Sequence, residues 1–306
     1  MAYSVVFFGT QEFAATVLDG LLANPLFKVV AVITQPDRAV GRKKIMTAPP
    51  VKLLANTKNI LVFQPENLKD FVLPTIPTPD YGIVAQYGNL IPEPILQWPT
   101  NGMINTHTSL LPKYRGASPV QAALLNGDQE TGLTIMLMDK GMDTGPILIQ
   151  EKITIGSDDK YPDVEKHLAD IAVPNLVAAV EGLTNGTIQP KPQNNAKAST
   201  CGKLDRDSGR IDWTKPAVVI YNTWRALYPW PGIWTTWENN RLKLLEIKLA
   251  EETVDPGTVL IKNNRLFIGS SKESIEVLTL QLEGKSAASA KDFITGYQRF
   301  NQALLK

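Results

Sequence analysis

Short apolar runs alternating with helix-like segments govern the first half of the chain, and they narrow its architecture sharply. Residues 4–8, SVVFF, are followed by Gly9-Thr10 and then by EFAATVLDGLLAN, an amphipathic pattern; KVVAVIT (28–34) follows as a second apolar run, closed by Gln-Pro-Asp. Strands buried on both faces read as such unbroken runs, and parallel strands need a crossover that is usually a helix. The alternation continues, with VKLLANTKN helix-like, ILVFQ and YGIVAQ strand-like, and GMINTHT and LTIMLMD two further strands. An α/β domain built on a parallel sheet wrapped by helices is the expectation. One glycine stands at the first turn, without G-x-G-x-x-G spacing, so a dinucleotide site finds no support.

The character changes near residue 185. NGTIQPKPQNNAKAST is polar, holds two prolines and has no periodicity, which reads as a linker. Beyond it, RLKLLEIKLAEE, GTVLIKNNRLFIG and SIEVLTLQLEG look like short strands separated by Gly and Asn turns, with KDFITGYQRF as a closing helix. A small OB-like β-barrel fits that pattern. The 306 residues suit two domains. The expected division is a catalytic domain at 1–189, a linker at 190–206 and a second domain at 207–306.

Several function classes are disfavoured. The net charge of +1 gives no global pull on nucleic acid, so any such binding must come from a local patch. The single Cys201 excludes a disulfide framework and a cysteine zinc site, and His107 and His167 are too few for a histidine-rich metal centre. The opening MAYSVVFFGTQEFA reads as a strand and turn rather than a signal peptide, and no apolar run nears the roughly 20 residues that span a bilayer. A soluble cytoplasmic protein without metal or membrane contact is expected.

Chemistry concentrates in NTHTSLLPKYRGASPVQ, starting at Asn105. Side chains two apart on a strand share a face, so Asn105, His107 and Ser109 are candidates to point one way. Ligands bind beyond the carboxyl ends of strands in open parallel sheets. The next strand runs into DKGMDTGPIL, where glycines bring Asp143 onto a tight turn. An amide, an imidazole and a carboxylate meeting in one crevice lack an activated nucleophile, but suit direct attack by an amine on an acyl carbon. The amide donates to the developing oxyanion, the imidazole moves protons, and the carboxylate orients it or relays a proton. Each residue also has a plainer reading: a histidine bonded to backbone, an aspartate closing a turn, an asparagine ending a strand. His167, in EKHLADIAVPNL, reads as a helix-surface residue.

With these motifs in view, the chain resembles the folate-dependent formyltransferases. The match rests on NTHTSLLPKYRGASP (105–119), G-D-x-x-T-G-L-T-I-M (127–136) and D-x-G-M-D-T-G (139–145). The resemblance implies a Rossmann-like domain in which Asn105, His107 and Asp143 are catalytic. It also implies that the turn Ser109, Leu110, Leu111 and Pro112 contacts a reduced folate, and that the loop carrying Gln86, Tyr87 and Gly88 walls the pterin pocket. Two further segments, QPDRAVGRKKIMTAPPVK (35–52) and GKLDRDSGRIDWTKPAVVIYNTWRALYPWPG (202–232), resemble the branch of the family that acts on methionyl-tRNA. That branch implies tRNA contacts from Arg38, Arg42, Lys43 and Lys44, although a solvated surface loop is the plainer reading of the run. Where the family loop commonly reads G-R-G-K-K, a lysine here replaces the second glycine.

The implied reaction moves a formyl group from 10-formyltetrahydrofolate to the methionine amino group of initiator methionyl-tRNA, in a monomer without metal. A formyltransferase for a small amine and a catalytically silent RNA-binding protein are the rivals. The basic loop and second domain argue against the first, and the joint presence of Asn105, His107 and Asp143 against the second. Site and folate turn both lie within residues 105–143, so a chain ended near Ala196 is expected to keep a folded, folate-binding domain.

Overall fold

The structure, a computed structural model, describes residues 2–41 and 44–306. The chain forms two compact units. The first comprises Met1–Pro119, Glu130–Thr154 and Glu165–Gly202; the second comprises Val120–Gln129, Ile155–Val164 and Lys203–Lys306.

Through the first 125 residues the elements run β1 (Tyr3–Gly9), α1 (Glu12–Ala23), β2 (Phe27–Ile33), β3 (Arg38–Val40), β4 (Ile45–Thr47), α2 (Pro50–Thr57), β5 (Val62–Phe63), β6 (Tyr81–Ala85), α3 (Glu93–Leu96), β7 (Met103–His107), β8 (Arg115–Gly116) and α4 (Pro119–Leu125). They continue with β9 (Glu130–Leu137), β10 (Ile147–Thr154), α5 (Tyr161–Asn185) and β11 (Thr200–Cys201). Helix α1 forms because Phe13, Ala14, Val17, Leu18 and Leu21 recur at helical spacing and are all buried. Phe7 and Phe8 of β1 are fully buried, each contributing roughly 1.5–3 kcal/mol of transfer free energy.

Strands of the main sheet lie in the order β10-β9-β7-β6-β1-β2-β5. Pairing is parallel from β5 to β7, as the apolar runs predict. The chain leaves β1 toward β2 and β5, then returns to lay β6 on the other side, so the order reverses between β1 and β6. Such a reversal opens a crevice at the carboxyl ends of the strands.

One expectation fails here. Strand β9 runs antiparallel to β7, and β10 antiparallel to β9, so β7 and β9 do not end at the same edge. An apolar run records burial and is blind to direction. Asp143 instead sits on the β9–β10 connection and reaches Asn105 and His107 from there.

The polar stretch expected as a linker is likewise built in, as far as Gly202, which closes the first unit. Lys191 exchanges two 2.8 Å backbone hydrogen bonds with Ile147, and β11 pairs in parallel with β8. Gly116 is required at that pairing: its φ is +120°, and a Cβ there would run into the Cys201 carbonyl oxygen.

The second unit carries α6 (Ala217–Leu227), β12 (Ile233–Trp237), β13 (Asn240–Ala250), β14 (Val259–Lys262), β15 (Arg265–Gly269), β16 (Ser274–Leu282), β17 (Ala288–Ser289) and α7 (Ala290–Gly296). Its antiparallel sheet has the order β12-β13-β16-β15-β14, with β17 beside β16. Glu238-Asn239 and Asn263-Asn264 all have positive φ, the two-residue hairpin turn whose twist matches the flanking strands. The last residues bridge the two outer strands: the Val259 N–H donates to the Ala303 carbonyl, and the Thr236 N–H to the Lys306 carbonyl. Trp237, Phe293, Tyr297 and Phe300 pack ring against ring beneath them. Helix α7 starts where the Ser289 hydroxyl accepts from the Asp292 N–H.

Candidate functional site

Asn105 and His107 stand on one face of β7, while Thr106 between them turns to the other and donates its hydroxyl to the Val84 carbonyl. Both are buried, at 9% and 5% exposure. The His107 Nε2 lies 3.0 Å from the Tyr114 carbonyl oxygen. A carbonyl only accepts, so Nε2 carries the hydrogen and Nδ1 is left to gain or lose a proton. That Nδ1 is 3.5 Å from Asp143 Oδ1, and the Asn105 Nδ2 reaches the same oxygen at 3.4 Å. The other oxygen, Oδ2, accepts from the Gly116 N–H at 2.8 Å. One carboxylate is thus shared by an amide, an imidazole and a backbone N–H. Separations of 3.4–3.5 Å are long for hydrogen bonds and leave room to tighten around a substrate.

Asp143 occupies the left-handed region at φ +53°. Its carbonyl and that of Gly145 both accept from the Gln193 Nε2, each at 2.8 Å. The Gln193 Oε1 accepts from Arg115 Nε and Nη2 at 3.0 and 2.7 Å. Nothing in the sequence motifs pointed to Gln193; it is one of two glutamines, with Gln189, inside a polar run.

The turn after β7 is closed from within. The Ser109 hydroxyl donates to the Lys113 carbonyl at 2.6 Å, and Ser109 is wholly buried, so it does not join Asn105 and His107 at Asp143. Leu110 packs close to Gly132, Leu111 is buried with its N–H on the Thr134 hydroxyl, and the Pro112 carbonyl accepts from the Ser199 N–H. Cys201 lies half-buried, its Sγ 3.5 Å from the Tyr114 and Arg115 carbonyls, and burial pushes its thiol up from the ordinary value.

The loop after β6 hangs on two neighbouring strand ends. The Tyr87 carbonyl accepts from the Thr10 hydroxyl at 3.0 Å and from the Gln35 Nε2 at 2.7 Å. The Tyr87 ring packs edge-on against Phe8, and burial pushes its hydroxyl up to about 12. Gln86 donates to Glu165 at 2.9 Å, and Gly88 has a φ of +85°. Beyond this loop a cleft of about 530 Å³ is lined by Leu68, Leu90, Ile91, Leu96, Lys69 and Lys140 among others. Of the basic residues, Arg38 and Lys44 are exposed, on β3 and in the turn before β4; Arg42 and Lys43 lie outside the described residues. His167 is exposed on α5, as its sequence context suggests. Among the described residues no group of three or more His, Cys, Asp or Glu side chains is placed to hold a metal ion.

Comparison with known proteins identifies the family. The formyl transferase family model matches residues 3–180, and the formyl transferase C-terminal domain model matches residues 203–298. A methionyl-tRNA formyltransferase of Caldicellulosiruptor saccharolyticus is 42% identical, with 96% of this chain and 97% of the relative covered. One from Thermodesulfovibrio yellowstonii is 37% identical, covering 99% of each. Among solved structures, an N-formyltransferase from Helicobacter canadensis, in complex with folinic acid and dTDP-3-aminofucose, superposes with a TM-score of 0.65 at 20% identity. That match covers 90% of this chain and 99% of the other, and it speaks for the fold alone. On the strength of both domain matches and of relatives similar from end to end, the chain belongs to the formyl transferase family.

Proposed function

We propose that the chain transfers the formyl group of 10-formyltetrahydrofolate to the methionine amino group of initiator methionyl-tRNA. The observation that carries the reading is the Asp143 carboxylate shared between Asn105 and His107. The amine attacks the formyl carbon, a C–N bond forms, and the carbonyl oxygen becomes an oxyanion. Asn105 donates to that oxyanion, a contact worth most in a water-poor site. His107, holding its Nε2–H on the Tyr114 carbonyl, uses Nδ1 to take the proton lost by the amine and return it to the departing folate nitrogen. Asp143 stabilises the imidazolium formed in between. The formyl carbon changes partners, one C–N bond made and one broken, with no net change in oxidation.

The residues also suit the co-substrate. Apolar Leu68, Leu90, Ile91 and Leu96 wall the cleft as flat rings require, and Lys69 stands beside them as a cation for an anionic tail, while Lys140 pairs with Glu93 at 2.8 Å. Ser109 to Pro112 and Gln86 to Gly88 frame the folate in this reading, through backbone rather than the Ser109 hydroxyl. The tRNA is held by Arg38, Arg42, Lys43 and Lys44 and by residues 207–306, while residues 1–189 carry the chemistry. The enzyme works as a cytoplasmic monomer; no helix among the described residues is long and apolar enough to cross a membrane.

An assay offering charged initiator tRNA, a nucleotide-linked amino sugar and glycinamide ribonucleotide tests the substrate. Formyl transfer to the tRNA alone is expected, and transfer confined to a small amine sinks the proposal. Asn105→Ala and His107→Ala should each lower turnover by about 10²-fold or more while a folate analogue still binds. Light scattering of the free enzyme checks the monomer.

A further inference from the structure

Residues 190–202 have no part in the reaction as just described, yet this strap ends repeatedly on groups next to the reacting atoms. The Ser199 hydroxyl accepts from the Tyr114 N–H at 2.9 Å, and the Ser199 carbonyl accepts from the Arg115 N–H at 2.8 Å. Tyr114 is the residue whose carbonyl holds His107. Gln193 reaches Asp143 itself, at the main-chain carbonyls on and just after it.

The chemistry of that contact is specific. Two carbonyls need two N–H donors from one side chain, and an Arg fork needs an acceptor oxygen at its other end. A primary amide provides both without charge. Arg115 turns the amide the right way round, and Asn195 Oδ1 accepts from Arg115 Nη2 at 2.8 Å to hold the guanidinium in turn. A leucine of similar volume supplies none of these bonds, and a carboxylate would face two carbonyl oxygens.

We infer that Gln193 is a positioning residue for formyl transfer, fixing the Asp143 loop so that the carboxylate faces Asn105 and His107. The inference rests on the reading of Asp143 given above. Asp143 sits in a left-handed conformation on a loop whose main-chain carbonyls Gln193 grips, so losing the clamp lets the carboxylate drift. A shift of about 1 Å at a reacting group costs on the order of 10²-fold in rate, far more than a loop on the surface would register.

The test uses the full-length enzyme, initiator Met-tRNA and 10-formyltetrahydrofolate. Gln193→Leu should lower kcat by about 10- to 10²-fold while both KM values and folate-analogue affinity stay nearly constant. In an Asp143→Asn background the same substitution should cost almost nothing more, because Gln193 acts through a carboxylate already gone. An unchanged kcat in Gln193→Leu overturns the inference. So does an undiminished further loss in the Asp143→Asn background, or a fall in folate-analogue affinity as large as that in kcat, the sign of general unravelling. If Gln193→Leu does not fold, Arg115→Lys decides, since it removes the fork and leaves the amide; a normal kcat there is equally fatal. Normal turnover in Asp143→Asn would instead bring down the reading of the site, a different failure with a different signature.

Discussion

Residues 35–52 and residues 190–202 are both polar, proline-bearing stretches without periodicity, and the fold treats them in opposite ways. Among its described residues, the first is held at its root. Asp37 accepts two 2.8 Å hydrogen bonds from the Lys52 ammonium, which hold its carboxyl below the ordinary value, and Gln64 adds bonds to Asp37 and to the Gln35 carbonyl. Past that root β3 and β4 pair with each other, and Val40, Ile45 and Met46 stand more than half exposed. The second stretch spends its polar groups on the backbone of the Asp143 loop and of the turn after β7. Similar composition thus serves a short hairpin arm with exposed side chains in one place and a structural strap in the other. What separates them is where the hydrogen-bond partners sit, because a buried backbone carbonyl without a partner costs far more than a solvated one.

A matched pair of glycine substitutions should break the comparison most visibly. Gly116→Ala puts a Cβ into the Cys201 carbonyl at a φ of +120°, where the strap meets β8, whereas Gly41→Ala at φ +72° meets nothing nearby. The first should cost about 2–4 kcal/mol of stability and most of the activity, the second about 1 kcal/mol with folate affinity intact. Denaturant melts and folate-analogue titrations on both variants check this; equal losses would mean the strap is no more integral than the arm.

Removing charge from the arm should act on tRNA alone. With Arg42 and Lys43 both changed to Ala, the salt dependence of tRNA use should flatten, its slope falling by roughly one for every phosphate no longer neutralised. Folate affinity should not move. KM for Met-tRNA against salt measures it, and an unaltered slope would reduce the arm to plain surface.

A smaller change is expected at the root. Asp37→Asn weakens the grip on Lys52 without touching the arm, so KM for Met-tRNA should rise by about a few-fold at constant kcat. A fall in kcat instead would tie the root to the chemistry through Gln35 and the Tyr87 carbonyl.

The smallest effect belongs to the second unit. The Arg265 fork on Glu276 holds that carboxyl below the ordinary range, against a weaker opposing pull from burial. A lowered folded-state value means the pair stabilises above the ordinary carboxylate pKa and loses its contribution as pH falls through the lowered value. Because Arg265 is largely exposed, Glu276→Gln should cost less than about 1 kcal/mol near neutral pH and nothing in strong acid. Thermal melts across that range decide it, and a deficit persisting in acid would show the loss is not electrostatic.

Much of the fold was legible because burial leaves a periodic trace. β1, α1, β2, β6 and β7 fall where SVVFF, EFAATVLDGLLAN, KVVAVIT, YGIVAQ and GMINTHT place them. The strand ILVFQ shrinks to Val62–Phe63, and β9 turns against its neighbour, since neither pairing length nor direction is written in apolarity. Asn105, His107 and Asp143 converge although β7 and β9 end at opposite edges; the loop corrects what the strands do not supply. Ser109, two residues on, leaves the strand and closes its own turn. Ser199 and Cys201, which lie beyond Ala196, bond to the backbone around Tyr114, a contact that no motif announces.

Burial pattern, hairpin turns and the side chains suited to acyl transfer could be read along the chain, residue by residue. These are local properties, set by period, by φ at Asn and Gly, and by functional group. The sharing of Asp143 by Asn105 and His107, and the grip of a glutamine fifty positions later on its backbone, come from the assembled fold. Those interactions depend on angles accumulated along the intervening chain and on which of many solvent-competent polar groups finds a buried partner. No short window of residues carries that information.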